Sequence, residues 1–452
     1  MINRKAFKKL LDWKTNQQGS TALLIEGARR VGKSTLAEEF GRKHYRSYLL
    51  IDFSLIPKEV ADFFEDLRTD IDRFFQYLSA YYGVTLYRRN SLIIFDEVQL
   101  FPKARGFIKY LVADGRYDYI ETGSLLSIHQ NVEGIVIPSE EESFRLNPLD
   151  FEEFLSAIGE EALSELIRDS FSKNEALPPP LHRKAMGAFR EYMLVGGMPK
   201  VVDTYAKKRS FEKADEEKRR ILELYRKDVD RFARGYKHKV LSIFDEIPAQ
   251  LSKHEKKFKL TSLTKDARMR AYEEAFMWLN DAQITIPCYG VSDPSVSLAL
   301  SRESLLKCYM ADTGLLATMA LITSNVTKED LYRNVFLGKI AINEGMLTEN
   351  IVAQTLVANG DRLFFYSQTG HAEDESRMEI DFLIIRPFSD AAGKPRVSPI
   401  EVKSTTRMTT ISLDRFAAKF EKKIGHQYIF YPGPLKKDRE RLYVPLYAAH
   451  CV

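Results

Sequence analysis

Residues Thr21 to Tyr45 read "TALLIEGARRVGKSTLAEEFGRKHY". "TALLIE" is an apolar run of strand length, "GARRVGKS" a glycine-rich turn, and "STLAEEFGRKHY" a helical segment ending near Gly41. The turn, Gly27 to Ser34, completes the pattern G-x-x-x-x-G-K-[ST] between a strand and a helix, the setting this motif requires. Gly27 and Gly32 allow a phosphate-wrapping turn with amides pointing inward at a helix start. Lys33 is placed to reach β- and γ-phosphates, and the Ser34 hydroxyl to take a position on Mg2+. The expected nucleotide-contacting set is Gly27, Ala28, Arg29, Arg30, Val31, Gly32, Lys33, Ser34 and Thr35, with ATP and Mg2+ as cofactors.

Further apolar runs follow in "YRSYLLIDF", "SLIIFDEV" and "YDYIETGS", separated by helical stretches such as "VADFFEDLRTDIDRFFQYLSAYY". Strands alternating with helices predict a largely parallel sheet covered on both faces. "SLIIFDEV" ends in Asp96 and Glu97. Beside the glycine-rich turn, Asp96 is expected to orient the Mg2+ and Glu97 to polarise the attacking water. On its own an Asp-Glu pair is equally a charged strand end. Thr122 and Ser124, in "YIETGSLLS", either position the γ-phosphate or cap a helix beginning near Leu125, and the residues leave both readings open.

From Phe154 to about Gly235 the pattern is helical, interrupted at "LPPPL" because consecutive prolines do not continue a helix. Between Lys239 and Leu316, helical runs precede two short extended runs, "QITIPCYGV" and "LLKCYMADTG", an order that suggests a winged helix. Its recognition helix carries Asp266, Arg268, Arg270, Glu273 and Glu274, a mixed charge that argues against sequence-specific DNA reading. The last segment reads helix-strand-strand-strand-helix-strand. Within it, Asp381 in "MEIDFLII" and Glu401 and Lys403 in "PIEVKST" lie on successive strands, which would bring the carboxylates together if the two strands are neighbours, with Glu349 on the preceding helix. Glu401 and Lys403 share a face by the two-residue period. Converging carboxylates with the Val402 carbonyl would suit a second Mg2+ or Mn2+, and Lys403 would then stabilise phosphate charge. A solvated strand face is the alternative, although charges in such apolar strands need a reason.

The chain has 452 residues, 44% of them hydrophobic and 29% charged, which argues for several folded domains and against extensive disorder. A net charge of +4 is a weak sign of a nucleic-acid surface. Cys288, Cys308 and Cys451 have neither metal nor disulfide spacing. His371 and His426 lack ligand-spaced partners and read as surface or packing residues. No secretory leader or membrane-length apolar run is present, so the expected location is the cytoplasm, with no membrane partner.

Together these pieces resemble the prokaryotic AAA+-type ATPases that carry a C-terminal domain of unknown function, DUF4143. The resemblance rests on "GARRVGKST", "IIFDEVQ", "IETGS", "LNPLDFEEF", "EYMLVGGMPKVV", "YRKDV" and "YMADTGLL", in that order. It implies an α/β multidomain protein: a P-loop AAA+-type ATPase core over residues 1–155, a helical lid over 156–235, a winged-helix-like segment over 236–330, and a restriction-endonuclease-like α/β domain over 331–452. Thr122 matches the position expected to sense the γ-phosphate. Relatives usually carry a Gly-Arg pair before the "LNPLDFEEF" segment, whereas here only Arg145 is near. The terminal domain resembles PD-(D/E)xK nucleases, its helix glutamate matching Glu349 rather than Glu344. The implied activity is Mg2+-dependent ATP hydrolysis coupled to conformational change, with DNA, a protein partner or further copies of the chain as partners. Two alternatives are a nucleotide-regulated, metal-dependent DNA endonuclease and an ATP-dependent switch whose C-terminal domains bind protein.

Overall fold

The computed structural model of the chain describes residues 2–123, 139–253, 255–265, 267–321, 328–337, 344–368, 377–387 and 394–452. Ser124, the helix expected from Leu125, Asp266 and His371 lie outside the described residues. Contacts divide the chain into two compact units, one of Asn3–Asn147 with Asp281–Gln283, the other mainly of Pro148–Asn280 and Ile284–Val452.

The first unit holds the parallel sheet. Strands β1 (Ala22–Glu26), β2 (Ser47–Asp52), β3 (Ser91–Asp96), β4 (Asp118–Gly123) and β5 (Glu141–Arg145) lie in the order β2-β3-β4-β1-β5, every pairing parallel. Period-two alternation splits its apolar residues between two cores. Leu24, Ile51, Ile93, Phe95 and Tyr119 pack on the face covered by helices α3 (Lys58–Asp66), α4 (Ile71–Tyr82) and α5 (Pro102–Asp114). Leu23, Ile25, Leu92, Ile94 and Ile120 pack on the other face, against α1 (Ala6–Gln17) and α2 (Lys33–His44). Coverage on both faces is why these strands read as continuous apolar runs.

Two local departures have physical causes. Helix α2 continues through Gly41 to His44; a Cβ at Gly41 would lie 2.9 Å from the Tyr48 Cβ, so the glycine admits β2 rather than ending the helix. The run after Lys58 is two helices, because Asp70 accepts a hydrogen bond from the Arg73 amide and caps a new one.

In the second unit, helices Phe151–Ala157, Glu161–Ser172, Pro179–Val195, Pro199–Lys208 and Phe211–Phe232 follow the expected helical region, with the proline run at a helix start. An eight-stranded sheet has the order β12-β13-β11-β10-β9-β8-β6-β7. Its strands are β6 (Thr285–Val291), β7 (Arg302–Met310), β8 (Phe364–Gln368), β9 (Met378–Pro387), β10 (Pro395–Val402), β11 (Gln427–Tyr431), β12 (Lys436–Asp438) and β13 (Arg441–Pro445). The hairpin expected from "QITIPCYGV" and "LLKCYMADTG" is β6–β7, and its parallel pairing to β8 makes it part of the terminal domain's sheet. Among the described residues no helix is long and apolar enough to cross a membrane, and the three cysteines are free.

Candidate functional site

The glycine-rich turn leaves β1 and enters α2 through Gly32, which is left-handed at φ 96°. Gly27 is needed for a different reason: a Cβ there would stand 2.8 Å from the Leu146 carbonyl oxygen and from Val31 Cγ1. Ala28 and Val31 are buried beneath the turn, while Arg29, Arg30 and Thr35 are exposed. Lys33 is only 5% exposed and donates from Nζ to the carbonyls of Gly27 (3.0 Å) and Ala28 (3.3 Å). Its ammonium thus lies across the mouth of the turn that phosphate would fill.

The sheet order sets β4 between β1 and β3, so Thr122 stands between the turn and the end of "SLIIFDEV". Ser34 Oγ donates to Asp96 Oδ1 at 2.6 Å, and Thr122 Oγ1 donates to the same oxygen. Thr122 Oγ1 also accepts from the Glu97 amide at 3.2 Å. Burial raises the Asp96 carboxyl above its ordinary range, and the hydrogen bonds from Ser34 and Thr122 oppose that rise. Glu97 has φ 53°, an uncommon left-handed conformation for a non-glycine residue, and Gln99 Nε2 donates to its carboxylate. A serine hydroxyl and a carboxylate on one hydrogen bond are hard oxygen donors suited to Mg2+, and backbone amides at a helix start with a lysine suit phosphate. The donor set fits ATP with Mg2+.

Three features of this unit escaped the sequence. Arg4 donates to the carbonyls of Val31 (3.1 Å) and Asn147 (2.6 Å), tying down one side of the turn from far away in the chain. Gln99 steadies Glu97, and its only signal was its place in "IIFDEVQ". Glu121, fully buried on β4, has its carboxyl pushed well up by burial and by Glu141, which itself pairs with Arg105 at 2.8 Å. Arg145 is exposed on edge strand β5.

The acidic residues of the second unit have cationic and amide partners. Glu349, buried on helix Glu344–Ala358, forms an ion pair with Lys256, accepts from the Tyr309 hydroxyl and lies 3.4 Å from Lys307 Nζ. Asp381 accepts from the Val402 amide at 2.9 Å and lies 3.6 Å from Lys307. Glu401 pairs with Lys403 at 2.8 Å. The expected gathering of Glu349, Asp381 and Glu401 around one ion differs from this arrangement: among the described residues no three His, Cys, Asp or Glu side chains form a metal-holding group. The physical reason is that ammonium groups and a backbone amide engage these oxygens. Burial alone would raise Glu349, but Lys307 and Lys256 outweigh it and hold its carboxyl at about 2. Burial and the Glu349 charge push Asp381 up to about 7. Lys307 and Glu379 were not singled out, although Glu379 is two residues from Asp381 and so on its strand face.

Residues 19–155 match the family model of an AAA domain, and residues 344–449 match a domain of unknown function (DUF4143). Between them, residues 186–326 match a second domain of unknown function (DUF8612). The chain is therefore an AAA-domain protein with a C-terminal DUF4143 domain, as the sequence resemblance implied. No curated protein matches it. Among solved structures, C. elegans PCH-2 is 14% identical, with 37% of this chain and 44% of that chain covered and a TM-score of 0.20. A Pyrococcus horikoshii signal transduction ATPase with numerous domains and a tetratricopeptide repeat sensor is 13% identical, with 80% and 49% covered and a TM-score of 0.27. The chain thus spans less than half the length of either. The helicase domain of Pyrococcus furiosus Hef is 13% identical, with 96% and 91% covered and a TM-score of 0.18.

Proposed function

We propose that the protein hydrolyses ATP with Mg2+ in its N-terminal unit and that hydrolysis drives a conformational change in its helical lid and nuclease-like parts, acting with DNA. The observation that carries the reading is the chain of hydrogen bonds from Ser34 to Asp96 to Thr122 to the Glu97 backbone. Ser34 and Asp96 would hold Mg2+, whose charge neutralises the phosphates when bound. Lys33 would exchange its two carbonyl partners for β- and γ-phosphate oxygens. Glu97 would take the proton of the attacking water as its oxygen bonds to the γ-phosphorus and the bond to the β-phosphate oxygen breaks, releasing ADP and phosphate. Thr122 would keep Asp96 and Glu97 in register during that step.

Phosphate release and nucleotide binding, measured separately, test this. Glu97→Gln is expected to keep ATP binding while turnover falls about 10²–10⁴-fold. Lys33→Ala is expected to weaken binding and abolish turnover. Full activity in either variant would refute the assignment. DNA binding is tested by fluorescence anisotropy over a salt series, with affinity expected to fall as salt rises.

A second reading has its own support. An endonuclease needs a metal beside Asp381, and Lys307 already lies among the carboxylates there. That favours an ATP-dependent switch whose C-terminal domains bind protein over one that cuts DNA. Absence of DNA binding in the anisotropy series would select it.

A further inference from the structure

Lys307, on edge strand β7, is 1% exposed, and its Nζ lies 2.9 Å from Glu379 Oε1, 3.4 Å from Glu349 Oε1 and 3.6 Å from Asp381 Oδ1. Two of these carboxylates come from β9 and one from helix Glu344–Ala358, so three separate elements meet on one ammonium. The other oxygens of two of them are engaged as well: Glu349 Oε2 by Lys256, and Asp381 Oδ2 by the Val402 amide. A buried ammonium is stable only where carboxylates compensate its lost hydration, and buried carboxylates likewise need a cation. A divalent ion sharing these oxygens would sit about 2.1 Å from each, in the volume the ammonium fills. Lysine and metal exclude one another here.

We infer that the ammonium of Lys307 is the resident cation of the Glu349–Glu379–Asp381 cluster, so that this nuclease-like site is a metal-free salt cluster joining β7, β9 and the helix. The inference is independent of the ATPase assignment, because none of these residues belongs to the N-terminal unit. It also predicts a latent metal site: without Lys307, three carboxylates and the Tyr309 hydroxyl are left as oxygen donors, with Lys256 at Glu349 Oε2 as the cation still paired to one of them.

Mn2+ binding to the full chain, counted by electron paramagnetic resonance without nucleotide, tests both statements. Wild type and Asp381→Asn, whose amide oxygen can still accept from Val402, are expected to bind the same number of Mn2+ ions. Loss of one equivalent in Asp381→Asn would overturn the inference. Lys307→Ala is expected to gain one Mn2+, with a rise in Tm on adding Mn2+ that wild type lacks, and to lose both in Lys307→Ala/Asp381→Asn. A folded Lys307→Ala that gains none would also overturn it. If Lys307→Ala does not fold, the comparison of wild type with Asp381→Asn still decides.

Discussion

Lys218 sits in a highly charged helix, Phe211–Phe232, yet is 1% exposed. It donates to the Leu194 carbonyl at 2.6 Å and faces Asp215, Asp312, Arg219 and the Tyr332 hydroxyl. Burial lowers its pKa from 10.5 to about 8, and Asp215 and Asp312 only partly offset that. Between those values the unfolded chain binds the proton more tightly, so stability rises with pH. The penalty, roughly 3 kcal/mol at neutral pH, is relieved as pH climbs from about 8 toward 10.5. Urea unfolding should therefore give wild type a gain of roughly 2 kcal/mol between about pH 7.5 and about pH 9.5 relative to Lys218→Met. Equal pH dependence in the two proteins would contradict the buried charge. The helical period puts Lys218 on the stripe of Ala214, Ile221, Leu222 and Tyr225, but only three-dimensional packing supplies the carbonyl and carboxylates that its ammonium meets there. The same holds for Lys307 and Arg4, whose partners lie tens of residues away. Gly27, Gly32, Lys33, Ser34 and Asp96 were legible because their chemistry is local: a turn, a helix start and a strand end.

Several family-like segments that carried no chemistry in the sequence are places where elements approach at backbone distance. In "EYMLVGGMPKVV", a Cβ on Gly197 would come within 2.2 Å of the Leu149 carbonyl oxygen, whose own amide donates to the Gly197 carbonyl at 2.7 Å. In "YMADTGLL", a Cβ on Gly314 would come within 2.3 Å of the Val195 carbonyl oxygen, and Asp312 accepts from the amides of Gly197 (2.6 Å) and Leu315 (2.9 Å). "LNPLDFEEF" contains a capping box, Asp150 with Glu153, that starts helix Phe151–Ala157. These are junctions, and a single sequence does not reveal which distant backbone a glycine admits. Gly197→Ala is expected to cost about 3 kcal/mol or more in denaturant unfolding, since two main chains cannot both yield. Gly187→Ala, inside helix Pro179–Val195 with nothing within 4 Å of its Cβ, is expected instead to stabilise by about 0.5–1 kcal/mol. Similar effects at both positions would remove the close-approach explanation. Strands β1 to β4 were readable as apolar runs, whereas β5, "EESFR" with a largely exposed pattern, has no such signature and is recruited by pairing with β1.

Because the chain folds as two compact units, its unfolding is not expected to be a single two-state transition, and ATP should act mainly on one of them. The sequence contains two tryptophans, and the division gives each unit one: Trp13 on α1 in the N-terminal unit and Trp278 on helix Met269–Asp281 in the other. Both are buried, at 4% and 2% exposure, so each changes environment when its own unit opens. Trp278→Phe leaves Trp13 as reporter of the nucleotide unit, and Trp13→Phe leaves Trp278. A ligand that binds only the folded state stabilises by about 2.7 kcal/mol at a free concentration near 100 Kd. A non-hydrolysable ATP analogue with Mg2+ is thus expected to raise the Trp13 transition by about that amount and the Trp278 transition by less. The shift should vanish from the Trp13 signal when Lys33→Ala is added. Equal shifts at both reporters would mean that the chain melts as one cooperative body, with nucleotide binding felt fully by the terminal sheet. A larger shift at Trp278 would move the nucleotide site out of the glycine-rich turn altogether, against the geometry of Lys33, Ser34 and Asp96.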